Sequence, residues 1–369
     1  MKPKIIVDSI SLLSSLTGIG RYTYEVSKRI KEKNDFKSNY FYGYHSKKLL
    51  HTSDTKNTNF LKSFIIKNQL VKKIVRKIIM ISSKISSPKY DLYWQPNFIP
   101  NEGIKAKKIV TSVHDFSFIL HKDFHPKERI EHLENNFFKN ILKSDIIITG
   151  SAFTKQEVIN TLDIDENKIK VIHHGVDHEL FYIRHDLKLN HKLPKKFILC
   201  VGSIEPRKNL LGLLKAYEML DVELKKEYKL VLAGFKGWEN QEIMNIINNN
   251  KQNIHYLGFV SDIELSKIYN LASCFIYPSF YEGFGIPPLE AMACGTPVIV
   301  SNSSSIPEVC GDAVLYIDPN NTKDIMTKIT TLLLNKTLQQ ELVQKGLQKT
   351  EEYSWEKSAQ KHLEIMNSF

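Results

Sequence analysis

Residues 279–296, SFYEGFGIPPLEAMACGT, decide how this chain folds. A short apolar run, Cys274-Phe275-Ile276-Tyr277, feeds into them and reads as a buried strand. Gly283 and Gly285 permit a turn whose backbone can lie close to a ligand. Pro287 and Pro288 suit the first turn of a helix, where a missing N–H costs nothing. On that reading Glu290 also falls in the first turn. The free N–H groups at such a helix start attract phosphate. Two carboxylates, Glu282 and Glu290, bracket the turn, and each suits hydroxyl groups. Phosphate in the middle with hydroxyls at both ends describes a nucleotide sugar.

Working outward, the same strand–turn–helix alternation fills the second half. Phe197 to Val201, Lys229 to Ala233, Ile254 to Leu257, Val298 to Val300 and Ala313 to Ile317 read as strands, with helical stretches between and after them. A last helix runs from Ser354-Trp355 to Met366. The first half alternates likewise. Its expected strands are Lys4 to Asp8, Ser38 to Tyr44, Tyr90 to Asn97, Lys108 to Val113, Asp145 to Thr149 and Ile169 to His173. Its expected helices are Arg21 to Ile30, Glu128 to Lys143 and Thr154 to Leu162. Alternation in both halves argues an α/β protein of two doubly wound, Rossmann-like domains facing a cleft. The expected boundaries are 1–175 for the first domain, 176–194 for a polar linker and 195–352 for the second domain. Residues 353–369 form the final helix.

At 369 residues, two domains are the natural division. Hydrophobic content of 42% and charged content of 25% are globular values. No apolar run reaches the roughly 18 residues of a membrane span, and the N-terminus lacks a signal peptide's apolar core. The four cysteines form no CxxC pair and lie in or beside apolar runs, so they read as reduced thiols of a cytoplasmic protein.

Charge is split unevenly. Residues 1–175 carry 30 Lys and Arg against 17 Asp and Glu, while residues 176–369 carry 21 against 23. A basic half calls for an anionic partner. No nucleic-acid-binding motif is present, so no nucleic acid is expected, and an anionic membrane surface or acceptor takes its place. Between Asp54 and Asp91 there is no acidic residue and there are nine Lys or Arg. Within this stretch Leu61 to Ile81 has near-helical apolar spacing. Two readings stay open: a surface helix with one solvated face, or an interfacial helix on the inner face of the cytoplasmic membrane.

Several residue patterns bear on chemistry. Gly18-Ile19-Gly20 reads as a glycine loop near phosphate or acceptor, or as a plain strand-to-helix turn; the third glycine of a dinucleotide fingerprint is missing. His114 ends a strand, where ligands of open parallel sheets gather, and an imidazole titrates near neutrality. Arg207 and Lys208 follow the first strand of the second domain and read as the start of a helix. Cations there oppose the helix dipole, so they are better placed for an anionic ligand than for stability. Asp163-Ile164-Asp165 spells a D-x-D but lies in a charged link and reads as structural. His121 and His125 lack a third ligand, so no metal is expected.

The motif E-G-F-G-I-P-P-L-E of residues 282–290 resembles the E-x7-E signature of retaining GT-B glycosyltransferases (family 4, group 1), of the bacterial mannosyltransferase type. The resemblance continues through residues 291–298 and reappears at residues 201–209, VGSIEPRKN. It is looser at residues 17–22 and at His114-Asp115. The resemblance implies retaining, metal-free transfer of a hexose, with mannose from GDP-mannose favoured. The acceptor would be a saccharide or lipid-linked saccharide of surface polysaccharide assembly, such as O-antigen. No cofactor is implied; the nucleotide-sugar donor is a substrate.

The resemblance also carries residue roles. Arg207 and Lys208 would hold the diphosphate, Glu290 the ribose hydroxyls and Glu282 the transferred sugar. The backbone near Phe284, Gly285 and Ile286, together with Gly18, Gly20, Gly202 and Ser203, would complete the donor site. His114 would stand beside the sugar, making His114, Glu282, Arg207 and Lys208 the catalytic set. Two other classes remain to be weighed: a sugar-nucleotide epimerase on the same fold, and a non-catalytic nucleotide-sugar-binding protein.

Overall fold

Four of the five residues of Lys4–Asp8 are buried, as expected of a strand covered on both faces. In the computed structural model it is β1, the strand at which the first sheet reverses its winding. The structure describes residues 2–13, 18–50, 88–185, 187–189, 191–238 and 241–369. The basic segment Leu61 to Ile81 lies outside the described residues, and no helix among them is long and apolar enough to cross a membrane.

The chain divides into two compact units. The first comprises Met1–Phe116, Lys127–His174 and Trp355–Phe369; the second comprises Ser117–Pro126 and Gly175–Ser354. The stretch 176–194, expected as a linker, thus lies inside the second unit. The reason is apolar: Phe181 is 1% exposed and packs in that unit's core. Residues 117–126 also belong to the second unit. Trp238 Nε1 donates to the Phe124 carbonyl at 2.7 Å, and the Phe124 ring stacks on Phe280.

The first unit's sheet adds β2 (Lys37–Phe41), β3 (His45–Ser46), β4 (Lys89–Gln95), β5 (Lys105–Val113), β6 (Ile146–Thr149) and β7 (Ile169–Val171). Their order is β3-β2-β1-β4-β5-β6-β7. All neighbours are parallel except β2 and β3, which form an unexpected antiparallel hairpin. The helix expected from Arg21 begins at Gly18 and ends at Lys33. Gly18 and Gly20 therefore sit in its first turn and do not form a loop.

The second unit's sheet consists of β8 (Phe197–Val201), β9 (Lys229–Ala233), β10 (Ile254–Gly258), β11 (Cys274–Tyr277), β12 (Val298–Ser301) and β13 (Leu315–Ile317). The order is β10-β9-β8-β11-β12-β13, parallel throughout. β11 and β12 are buried at every position, and apolar layers cover both sheet faces. In each sheet the winding reverses beside the first strand, between β1 and β4 and between β8 and β11. Loops leaving the two strands part at that point and open a crevice at their carboxyl ends.

Backbone packing shapes the second crevice. Gly234 has φ +146, and a Cβ there would lie 1.9 Å from the Gly202 carbonyl oxygen. The loops after β8 and β9 pack this closely because Gly202 N donates to the Ala233 carbonyl and Ile204 N to the Phe235 carbonyl, both at 2.9 Å.

Candidate functional site

The crevice of the second unit is lined by Gly202, Ser203, Lys208, Tyr256, Tyr277 and Ser279, among others. Arg207 and Lys208 occupy a short 3-10 turn, Pro206–Lys208, rather than the helix itself. The helix Leu210–Glu218 starts after Asn209, which caps it from a left-handed conformation. The turn aims both cations at one carboxylate. Arg207 Nη1 donates to Glu282 Oε2 at 2.7 Å, and Lys208 Nζ donates to Glu282 Oε1 at 2.7 Å. Arg207 also reaches Glu205 Oε1 at 2.9 Å and the Tyr281 carbonyl at 2.7 Å. Lys208 reaches the Tyr277 hydroxyl at 2.6 Å. Phe280 N closes the ring by donating to the Arg207 carbonyl at 2.9 Å.

These side chains form a charge-balanced cluster of two cations and two carboxylates, all largely buried. Burial pushes the Glu282 carboxyl up, but Arg207 and then Lys208 outweigh it and hold the group at about 2. Burial, then Arg207, pull the Lys208 ammonium down, against Glu282 and Glu205. Glu282 thus serves as the counter-ion of both cations, an arrangement the sequence reading, which gave it only sugar hydroxyls, did not anticipate. Glu205 and Tyr277 were missed as well. The available signals were Glu205's place two residues before Arg207 and Tyr277's at the end of an apolar strand.

A loop of serines fixes the turn that carries Glu282. Ser304 Oγ accepts from Glu282 N at 2.8 Å, and Ser305 Oγ donates to the Glu282 carbonyl at 2.8 Å. Gly285 then caps the helix Ile286–Ala293 with φ +98, and a Cβ there would lie 2.6 Å from Ile306 Cδ1. The helix start brings Phe284, Gly285 and Ile286 next to the turn. Glu290, expected in the first helical turn, is the fifth helical residue, and that first turn holds no acidic residue. Dipole complementation therefore does not account for it. It is 5% exposed, and the Tyr269 hydroxyl donates to Glu290 Oε2 at 3.3 Å. Burial, then Glu290, keep that phenol protonated by raising it well above its ordinary value.

Glu282 gives the cluster a pH signature. Its carboxyl is held at about 2 against an ordinary 4.5. A depressed carboxylate contributes stability that is present above its unfolded value and lost as pH falls towards its folded one. Here that window runs from 4.5 down to about 2, and such a displacement is worth on the order of 3 kcal/mol. The melting-temperature gap between wild type and Glu282→Gln should therefore hold constant from neutral pH to about 5 and narrow below it. A gap that stays constant in acid would show that Glu282 is not held by the two cations.

In the first unit, His114 is the residue after β5. Its Nε2 donates to the Pro96 carbonyl at 2.7 Å. Its ring packs edge-on against Tyr22 at 5.1 Å and Phe98 at 5.6 Å, with His174 at 5.6 Å. Burial lowers its pKa, against the Pro96 carbonyl and Asp115. The ring is therefore neutral at neutral pH, which corrects the expectation that it titrates there. Gly18 and Gly20 also lie in this unit, whereas Gly202, Ser203, Phe284, Gly285, Ile286 and the charged residues lie in the second. Asp165, of the D-x-D triplet, caps a 3-10 turn by accepting from Asn167 N. Among the described residues no group of three His, Cys, Asp or Glu side chains could hold a metal ion.

Two family profiles match the chain: "Glycosyltransferase Family 4" over residues 16–180 and "Glycosyl transferases group 1" over residues 183–349. The O-antigen chain mannosyltransferase B of Escherichia coli is 32% identical over 96% of this chain and 96% of its own length. The serotype-specific mannosyltransferase WbdA, also of Escherichia coli, is 32% identical over 72% of this chain and 34% of its own. Among solved structures, Anabaena Alr3699/HepE in complex with UDP and glucose superposes with a TM-score of 0.72 at 14% identity, covering 100% of both chains. WaaG, a glycosyltransferase involved in lipopolysaccharide biosynthesis, gives a TM-score of 0.65 at 13% identity, covering 98% of this chain and 99% of its own. With both halves matched and a relative similar along almost its whole length, this chain belongs to the GT-B glycosyltransferases of family 4, group 1.

Proposed function

We propose that this glycosyltransferase moves mannose from GDP-mannose to a saccharide or lipid-linked saccharide acceptor, keeps the anomeric configuration and uses no metal. The observation that carries the reading is the pairing of Arg207 and Lys208 at the crevice between β8 and β11. In transfer the bond between the anomeric carbon and the diphosphate oxygen breaks, a bond to the acceptor oxygen forms, and the acceptor's hydroxyl proton passes to the departing diphosphate. Negative charge then grows on the diphosphate, and fixed cations nearby stabilise that charge. Arg207 and Lys208 do the work that a metal ion does elsewhere. A diphosphate drawn to them takes over part of Glu282's role as counter-ion, which frees that carboxylate for a sugar hydroxyl. Mannose and the saccharide acceptor are supported by the names of the relatives, and the basic first half suits an anionic or lipid-linked acceptor.

The test is a panel of nucleotide sugars scored by thermal shift, followed by transfer to a mannose-terminated oligosaccharide with excess EDTA. GDP-mannose should give the largest shift, and transfer should survive chelation. A larger shift with UDP-glucose would reassign the donor. Activity abolished by EDTA and rescued by Mn²⁺ would remove the metal-free mechanism.

A further inference from the structure

Behind His114 the first unit buries a run of polar groups inside an aromatic cluster. Tyr22, in the helix Gly18–Lys33, is 1% exposed, Trp94 and His362 are 0% exposed, and Ser112 is 2% exposed. The Tyr22 hydroxyl lies 2.6 Å from His362 Nε2 and 2.8 Å from Ser112 Oγ. Trp94 Nε1 lies 3.1 Å from Ser112 Oγ, and His362 Nδ1 lies 2.8 Å from the Ser358 carbonyl.

The hydrogens on this chain have one consistent assignment. The Ser358 carbonyl only accepts, so His362 Nδ1 carries a proton. Burial holds His362 down at about 4, so the ring is neutral and Nε2 is an acceptor. Tyr22 therefore donates to His362. The indole N–H of Trp94 only donates, so Ser112 accepts from it and passes its own hydrogen to Tyr22. Trp94, Ser112, Tyr22, His362 and Ser358 form one directed chain with each hydrogen used once.

Such a chain is not needed for packing. Apolar side chains would fill the same volume without the cost of burying hydroxyls and imidazole. A fully satisfied network instead fixes one orientation of the groups it joins. The group so oriented beside His114 is the Tyr22 ring, edge-on at an interplanar angle of 87°. Ser112 adds a second tie: it precedes His114 by two residues, and its Oγ meets the Tyr22 hydroxyl while the His114 ring meets the Tyr22 ring.

We propose that Tyr22, held by Ser112 and His362, is a positioning residue for His114. The final helix thereby sets the orientation of an imidazole in the transfer site. The proposal rests on the reading of His114 as a residue of that site.

The test uses full-length Tyr22→Phe, His362→Leu, His362→Gln, His114→Ala and the double variant Tyr22→Phe/His114→Ala. Turnover is read as GDP released from GDP-mannose with a mannose-terminated oligosaccharide, GDP affinity by calorimetry, and folding by melting temperature. Tyr22→Phe keeps the ring and removes only the hydroxyl. It should lower kcat on the order of 10-fold, as a small misplacement of a reacting group does, and leave GDP affinity unchanged. His362→Leu should act like Tyr22→Phe. Gln can present an acceptor near the place of Nε2, so His362→Gln should restore most of the turnover. In the His114→Ala background, Tyr22→Phe should cost nothing further, because it acts through that ring. Wild-type kcat in Tyr22→Phe, or a full additional loss in the double variant, would overturn the proposal. Wild-type turnover in His114→Ala would instead overturn the reading of His114 itself, and the proposal with it.

Discussion

Lys208→Ala should weaken GDP binding by about 10- to 100-fold while the second unit stays folded. A hydrogen bond to a charged group contributes about 1.5–3 kcal/mol, and with Lys208 gone only Arg207 of the pair is left to meet the diphosphate. Its ammonium sits between Glu282 and the Tyr277 hydroxyl in the crevice wall. Removing it leaves Arg207 on Glu282 Oε2, so the carboxylate keeps a counter-ion and the turn keeps its serine contacts. The expected loss is therefore in ligand affinity more than in melting temperature. If the cluster were only a structural clamp, the melting temperature would fall and calorimetry would return wild-type GDP affinity. That outcome would take Lys208 off the diphosphate.

His114→Ala should behave in the opposite way. Arg207, Lys208 and Glu290, which would hold the diphosphate and ribose, belong to the second unit, and His114 belongs to the first, so GDP affinity should be unchanged. Turnover should fall by about 10²- to 10³-fold, the range seen when one group that stabilises developing charge is removed. Because the ring is neutral at neutral pH, its loss should not alter the pH–rate profile there. The competing account is a core histidine whose ring packs on Tyr22 and Phe98 and whose Nε2 holds the Pro96 carbonyl. In that case the melting temperature falls and kcat per folded molecule does not. Measuring both on one preparation separates the accounts.

The strands of the second unit were legible in the sequence because they are short, apolar and bounded by turn residues. Phe197–Val201, Lys229–Ala233 and Cys274–Tyr277 have the bounds their apolar runs suggested. The body of the helix from Arg21 was legible, but its start at Gly18 was not. Its first turn holds Gly18 and Gly20, which lower helix propensity, and the helix packs on the final helix far along the chain. The hairpin strand His45–Ser46 is two residues long and carries no apolar alternation. The 176–194 stretch looked like a linker because its composition is polar, yet Phe181 anchors it. At the candidate site, residue types were legible and pairings were not. Glu282 and Arg207 stand 75 positions apart, and only the parallel sheet brings them to 2.7 Å.

The first unit's discontinuity also bears on how the protein is made. Its last helix, Trp355–Asn367, leaves the ribosome only after residues 1–354, so the second unit has all its residues before the first does. Until then Tyr22 and Trp94 lack His362, and a face that ends up buried stays open to solvent. Domains tend to fold as units during synthesis, and transiently exposed apolar surface invites aggregation. The first unit is thus the part of this chain that must wait, and the part a chaperone would be expected to guard.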